Sequence, residues 1–270
     1  MNPIDLKTLL EAGCHFGHKT NKWNPKARDF IYKAVGGTHI IDLVKTKEGL
    51  EQAALHIYNQ AKNGRVLLMV GTKRQAQSII KSIAEKYGTP YFNQRWIGGF
   101  ITNFEEVRKN LDKLSTRKKT LADKQVASQY TKLERLNIQR EVNKLENIYG
   151  GVANLERRPD MIFVVDVRKE SATVKEASQY HIPVIGIVDT NSNTEGITYP
   201  IPANDDAIGS ITCITTYLGQ AYQEGYSEFE KKKTEEKANE LKAKEAEEKR
   251  IQEKAEKEKK AEKTEEKETV

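Results

Sequence analysis

A short Gly-Thr-Lys sequence lies where a protein chain most easily binds a phosphate group. Gly71, Thr72 and Lys73 follow the apolar run VLLMV and precede a segment with isoleucines at helical spacing. Free backbone N–H groups and the dipole at the start of a helix attract an anion. The run VGTKRQA (70–76) nevertheless lacks the glycine spacing of the Walker A and dinucleotide-binding motifs. We therefore predict Lys73 and Arg74 as contacts to nucleic-acid phosphates rather than to a nucleotide.

Acidic side chains come at or after the ends of the predicted strands, at Asp166, Asp189, Asp205 and Asp206. Open α/β sheets bind ligands at the carboxyl ends of their strands, and with His15 or His18 these carboxylates could form a hard-metal site. Aspartates in such positions more often cap the next helix or hold a loop. We expect no bound metal and no cofactor.

Catalytic motifs are missing from the sequence. It contains no G-x-S-x-G elbow, no H-E-x-x-H motif and no clustered Cys/His group, and its two cysteines, Cys14 and Cys213, are far apart. We predict that the protein is not an enzyme. The alternative is a nucleotide-binding α/β enzyme, favoured only by the VGTK run and the strand-end aspartates.

Basic residues alternate with aromatic ones in the segment HFGHKTNKWNPKARDF (15–30), which we interpret as a loop. This mixture suits phosphate contacts combined with stacking on exposed bases. The alternative is that Trp23 and Phe16 cover the edge of the core. The predicted RNA contacts are Lys19, Lys22, Trp23, Lys26 and Arg28.

A second basic region lies at 105–149, where apolar residues at spacings of three and four predict two helices joined by a turn near 121–125. We predict an inserted coiled-coil hairpin with basic side chains along its length. The alternatives are a solvated coiled-coil face without a ligand, or an adaptor that binds only proteins. The predicted RNA contacts on its first helix are Arg108, Lys109, Lys113, Arg117, Lys118 and Lys119.

Composition separates the C-terminal tail from the rest of the chain. The segment 228–270 has 14 basic and 15 acidic residues, so the net charge of +6 comes from the residues before it. A basic protein attracts polyanions. The N-terminus does not resemble a signal peptide, and no apolar run is long enough for a membrane span. We expect a cytoplasmic protein with no membrane contact and a tail that is disordered or loosely helical.

The elements that must position these residues indicate an α/β fold. Apolar runs at 65–70, 160–167 and 182–189 are typical of buried parallel strands, and helical spacing lies between them. A β-hairpin is predicted around Gly36-Gly37, and a helix from about Leu43 to Lys62. We predict a Rossmann-like (flavodoxin-like) parallel sheet with helices on both faces, formed by 1–104 and 150–227, with 105–149 inserted and 228–270 appended.

The stretch NQRWIGGFITNF (93–104) resembles the signature of the bacterial ribosomal protein two family of the small subunit. Further blocks resemble that family in the same order, among them LLEAGCHFGHKTNKWNPK (9–26), RPDMIFVVDVRKE (158–170) and IPANDDAIGSI (201–211). Within the signature, Arg95 and Trp96 combine a cation with a stacking surface, and Asn103 offers a helix cap or an RNA hydrogen bond. We add these three residues to the predicted RNA contacts.

The resemblance covers about residues 4–226 and implies a structural role in the ribosome. It implies binding to small-subunit ribosomal RNA where the head meets the body, and contact with neighbouring small-subunit proteins. It also implies a part in holding the large multi-domain ribosomal protein one.

Overall fold

The N-terminal part of the computed structural model, which describes residues 3–123 and 130–235, forms a small antiparallel sheet. Helix α1 (Leu6–Glu11) precedes strand β1 (Phe16–Lys19), and strands β2 (Ile31–Val35) and β3 (Thr38–Ile41) form the hairpin predicted around Gly36-Gly37. The strand order is β1-β3-β2. The segment 15–30 is therefore not only a loop, because it contains β1 and the two 3-10 helices Thr20–Lys22 and Pro25–Phe30.

A parallel sheet of five strands follows. Its strands are β4 (Leu67–Val70), β5 (Tyr91–Phe92), β6 (Met161–Val164), β7 (Val184–Val188) and β8 (Tyr199–Pro202). Their order is β5-β4-β6-β7-β8, so the first strand along the chain lies between the second and the third, as in flavodoxin-like folds. The α/β class and the parallel sheet are thus confirmed. Strand β8 was not predicted, because prolines and a tyrosine interrupt its apolar pattern.

Two apolar cores cover the two faces of this sheet. Leu67 and Met69 belong to one core and Leu68 and Val70 to the other, as the alternation of side chains along a strand requires. The first core is completed by α2 (Leu43–Ala61), α3 (Gln77–Tyr87) and the helix at 208–226. The second includes the segment 96–101 and residues of the later helices. Burial on both sides explains why these strands are continuously apolar.

The segment between β5 and β6 contains two helices, α4 (Phe104–Ala122) and α5 (Lys132–Tyr149), which we call the helical pair. Val107, Leu111 and Leu114 of α4 are buried in the same core as Ile138 and Val142 of α5. Helix α5 begins with a capping box in which Thr131 and Glu134 exchange hydrogen bonds, and it ends before Gly150. The turn predicted near 121–125 begins too early, because α4 continues to Ala122, and its last two residues, 124–125, lie outside the described residues.

Two further α-helices follow the helical pair along the chain. Helix α6 (Ser171–Gln179) connects β6 to β7, and a last helix begins at 208. The chain divides into two units, 1–226 and 227–270, and in the second the structure describes a helical segment at 227–235. Our interpretation of the tail beyond 235 falls outside the described residues. Asp5 precedes α1, and its side chain makes no capping hydrogen bond there.

Candidate functional site

The carboxyl edge of the parallel sheet brings the predicted strand-end residues together. Lys73 follows β4, and its ammonium Nζ lies 3.4 Å from Asp166 Oδ2, 2.9 Å from Asp205 Oδ1 and 2.6 Å from Asp206 Oδ1. These residues meet because the carboxyl ends of parallel strands share one edge. We call Lys73, His18, Asp166, Asp189, Asp205 and Asp206 the edge cluster.

Desolvation controls the charges within this cluster. Burial, together with the nearby charges of Asp166 and Asp189, raises the pKa of the Asp205 carboxyl to about 7. Burial alone would lower the pKa of Lys73, but its hydrogen bond with Asp206 and the charge of Asp205 more than offset this and raise that pKa. The lysine ammonium therefore acts as the internal counter-charge of the cluster.

His18 connects the N-terminal sheet to the edge cluster. Its Nδ1 lies 3.0 Å from Asp189 Oδ2 and its Nε2 lies 3.5 Å from Asp206 Oδ2, and the hydrogen bond with Asp189 raises the pKa of the imidazole. Backbone contacts fix this position, since Thr190 Oγ1 accepts from His18 N and Thr190 O accepts from Asn24 N. The cluster thus combines a histidine of β1 in the N-terminal sheet with residues that follow strands of the parallel sheet.

A metal ion could be held by part of this cluster, although we predicted none. His18, Asp189 and Asp205 each offer one ligand atom, and these atoms lie within 4.8 Å of one another. Carboxylate oxygens and an imidazole nitrogen suit a divalent cation. Lys73 already occupies one side of Asp205, so a cation would share that carboxylate with the ammonium.

The same geometry argues against a phosphate at the VGTK run and against our prediction that Lys73 contacts nucleic-acid phosphates. The lysine side chain is only 16% exposed and is engaged by three carboxylates, whose charges would repel a phosphate. A Cβ on Gly71 would lie 2.6 Å from Ile80, so this glycine is required by helix packing. The nucleotide-binding alternative loses its main support, while Arg74 remains exposed.

The N-terminal basic residues lie at the surface. Lys19, Lys22 and Arg28 are exposed, whereas Lys26 forms an ion pair of 2.6 Å with Glu195. Trp23 is 40% exposed, with its ring centroid 5.8 Å from that of His39. It therefore packs partly on the small sheet and keeps part of its ring accessible to a base.

The signature segment is held by one carboxylate that sequence reasoning did not identify. Glu176 accepts hydrogen bonds from Trp96 Nε1 (3.1 Å), Gly99 N (2.8 Å) and Ile101 N (3.2 Å). Trp96 is only 7% exposed, and its ring makes edge contacts with the rings of Phe92 and Phe100. The structure thus favours core packing over base stacking for Trp96. No motif in the sequence signalled Glu176, which comes about 80 residues later.

Other signature residues do reach the surface. Arg95 is exposed next to the buried Trp96. Asn103 is exposed at the start of α4, where its side chain makes no capping hydrogen bond. Of the two roles that we considered for Asn103, the cap is therefore wrong. Within the described part of the chain its side-chain amide has no hydrogen-bond partner, so the amide is available to another molecule.

Acidic residues of the helical pair neutralise much of its basic charge. Glu141 of α5 forms ion pairs with Lys113 and Arg117 of α4, with N···O distances of 2.5 Å and 3.3 Å. Glu146 forms an ion pair of 2.7 Å with Lys118. Lys109 pairs with Glu106 on its own helix at 2.8 Å. Arg108 and Lys119 are exposed, and neither forms an ion pair within the described ranges. They are the free cations among the six predicted contacts on α4.

Two further observations bear on the function class. Burial raises the pKa of the Cys14 thiol to about 11, so this cysteine stays protonated at neutral pH and is a poor nucleophile. Among the described helices, none combines the length and the apolar character that a membrane span requires.

Comparisons with known proteins agree with the resemblance noted in the sequence. The family model described as "Ribosomal protein S2" matches residues 9–225. The "Small ribosomal subunit protein uS2" of Cytophaga hutchinsonii is 45% identical over 230 residues, which are 85% of this chain and 90% of that protein. The protein of the same name from Coprothermobacter proteolyticus is 46% identical over 227 residues, covering 83% and 84% of the two chains. A third, from Thermobifida fusca, is 41% identical over 222 residues, covering 82% and 76%. The chain therefore belongs to the ribosomal protein S2 family.

Proposed function

We propose that this chain, a structural protein of the small ribosomal subunit, binds ribosomal RNA at the junction of head and body. Members of the ribosomal protein S2 family are structural and non-enzymatic, and their place is the ribosome. The observation that carries RNA binding is the set of exposed cations outside the edge cluster. A polyanion would bind there by releasing counterions.

The proposed contacts follow from exposure and pairing. Lys73 and Trp96 are withdrawn from the predicted set, because one is paired inside the edge cluster and the other is buried. Cations without an acidic partner in the described residues can neutralise phosphate directly, whereas paired ones must first exchange partners. The proposed primary contacts are Lys19, Lys22, Trp23, Arg28, Arg74, Arg95, Asn103, Arg108 and Lys119. The secondary contacts are Lys26, Lys109, Lys113, Arg117 and Lys118.

The domain organisation is part of the proposal. We propose an α/β domain made of 1–104 and 150–227, a coiled-coil hairpin at 105–149 and an appended tail at 228–270. The apolar seam of Val107, Leu111 and Leu114 against Ile138 and Val142 supports the hairpin. The family resemblance extends the proposal to contacts with neighbouring small-subunit proteins and to recruitment of the large ribosomal protein one.

Sedimentation of the full chain tests the ribosomal part of the proposal. In a density gradient of a native-salt lysate, the chain should track the small subunit stoichiometrically after low magnesium separates the subunits. Recovery of the chain as free protein, with intact ribosomes in the same gradient, would contradict it.

Filter binding of the purified full chain to transcribed small-subunit ribosomal RNA tests RNA recognition. The double variant Arg108→Gln/Lys119→Gln should bind more weakly and lose about two from the slope of log affinity against log salt. Lys86→Gln/Lys175→Gln, on α3 and α6, is the matched control, since it removes two exposed charges elsewhere that have no acidic partner in the described residues. Equal effects of the two double variants would mean that only net charge matters.

A further inference from the structure

The hairpin formed by β2 and β3, residues 31–41, is largely exposed to solvent, and we call it the ribbon. Residues 32–37 are all exposed. Successive side chains of a strand point to opposite faces, so neither face of β2 is covered in the described structure. Strand β2 is also the edge of its sheet, with backbone groups open on one side.

Large side chains are displayed on this bare strand. Tyr32 is 68% exposed and Val35 is 52% exposed, whereas the strands of the parallel sheet are mostly buried. Natural proteins usually protect an exposed edge strand, and this one is left open while it displays large side chains. The ribbon is therefore expected to be covered by a partner.

Charge selects the kind of partner. The segment 14–41 contains five basic residues and one acidic residue, Asp29. Lys33 lies on the ribbon with its ammonium 5.6 Å from the centre of the Tyr32 ring, and Lys19 lies opposite Thr38 across the β1–β3 pair. A positively charged surface with an accessible aromatic ring suits a phosphate backbone with unpaired bases.

The tip of the ribbon allows close approach. Gly36 and Gly37 both have positive φ, 57° and 78°, which two-residue hairpin turns of this hand require. No atom lies within 4 Å of where a Cβ would stand on either glycine. The backbone at the tip is thus open to close approach by a partner.

We propose that the ribbon is an RNA-contacting element, in which Lys33 contacts backbone phosphates and Tyr32 stacks on an unpaired base of small-subunit ribosomal RNA. This inference rests on the proposed RNA-binding function and names contacts beyond the residues predicted from the sequence. Lys19 on strand β1 and Trp23, directly after the 3-10 helix Thr20–Lys22, extend the same surface.

The test uses the full chain and transcribed small-subunit ribosomal RNA in the filter-binding assay. Tyr32→Ala should lower affinity about tenfold, because a base–aromatic stack is lost, while Tyr32→Phe keeps the ring and should stay within about twofold of the original chain. Lys33→Gln should lower the salt slope by about one, with Lys86→Gln, an exposed lysine that also lies over a tyrosine ring, as the matched charge control. Both positions are exposed, so the thermal unfolding midpoint should not change.

The outcomes separate this inference from the function on which it rests. If Tyr32→Ala and Lys33→Gln bind like the original chain while Arg108→Gln/Lys119→Gln binds more weakly, RNA binding stands and the ribbon proposal is overturned. If Tyr32→Ala keeps its RNA affinity but no longer enters the small subunit, the ribbon contacts a protein, which also overturns it. If the original chain shows no salt-dependent affinity, both proposals fall.

Discussion

The edge cluster and the ribbon present lysines in opposite environments, although strand β1 reaches both. His18 of β1 contacts Asp189, and the next residue, Lys19, is exposed beside the ribbon. In the edge cluster, Lys73 is surrounded by carboxylates and is mostly withdrawn from solvent. On the ribbon, Lys33 has no carboxylate partner within the described residues and is exposed. A lysine on a strand or just after one is thus structural or available to a ligand according to which groups surround it.

The largest expected effect comes from removing the central cation of the edge cluster. Lys73→Met should lower the free energy of unfolding by about 3 kcal/mol, because it leaves buried carboxylates without their counter-charge. Urea unfolding at pH 7 in EDTA measures this. Lys26→Met, which breaks an exposed ion pair, is the matched control and should leave the unfolding midpoint unchanged. Equal losses of unfolding free energy in the two variants would show that Lys73 stabilises the fold no more than a surface lysine does.

The pH dependence of stability should reveal the cluster without removing Lys73. Burial raises the pKa of Asp205 to about 7, so the folded state binds a proton that the unfolded chain has released above about pH 4. The hydrogen bond with Asp189 also raises the pKa of His18, and a raised histidine pKa acts in the same direction. Stability should therefore fall as pH rises from about 4 through 7.

Urea unfolding at intervals between pH 5 and 8, in EDTA, checks this slope. Asp205→Asn should flatten the slope of stability against pH. Glu195→Gln, which changes an exposed carboxylate paired with Lys26, should leave that slope unchanged. A slope that persists in Asp205→Asn would assign the effect to other groups.

A smaller loss of stability is expected at Glu176, which is more exposed than the buried aspartates of the edge cluster and less exposed than residues 32–37 of the ribbon. Glu176→Gln keeps the size of the side chain but weakens its hydrogen bonds with Trp96, Gly99 and Ile101, at a cost of about 2 kcal/mol. Faster hydrogen exchange at the amides of Gly99 and Ile101 would locate the loss. Unchanged exchange at both amides would show that the carboxylate does not hold the signature segment.

The smallest effect is expected on the helical pair. Glu141→Gln breaks exposed pairs with Lys113 and Arg117 and should change the free energy of unfolding by no more than about 0.5 kcal/mol. It should instead strengthen RNA binding, because two cations are released for phosphate contacts. Weaker RNA binding in this variant would show that the paired lysine and arginine are not among the contacts.

Sequence alone determined the α/β class, the β-hairpin and most of the helices. Apolar periodicity reports which residues face a core, and a pair of glycines marks a tight turn, so these features are local properties of the chain. The bounds of α2 agree with the prediction to within one residue, and the buried strands lie inside the predicted runs. The ordered blocks also identified the family, because they extend over most of the chain.

Only the tertiary structure decided which charged and aromatic residues remain available to a partner. Lys73 and Lys33 are the same residue type, and nothing in their neighbouring sequence distinguishes a lysine enclosed by Asp205 and Asp206 from one on an open strand. Those aspartates come more than 130 residues after Lys73, and Glu176 comes 80 residues after Trp96. Burial and ion pairing depend on contacts made across the sheet, and these contacts set the charge that the surface presents.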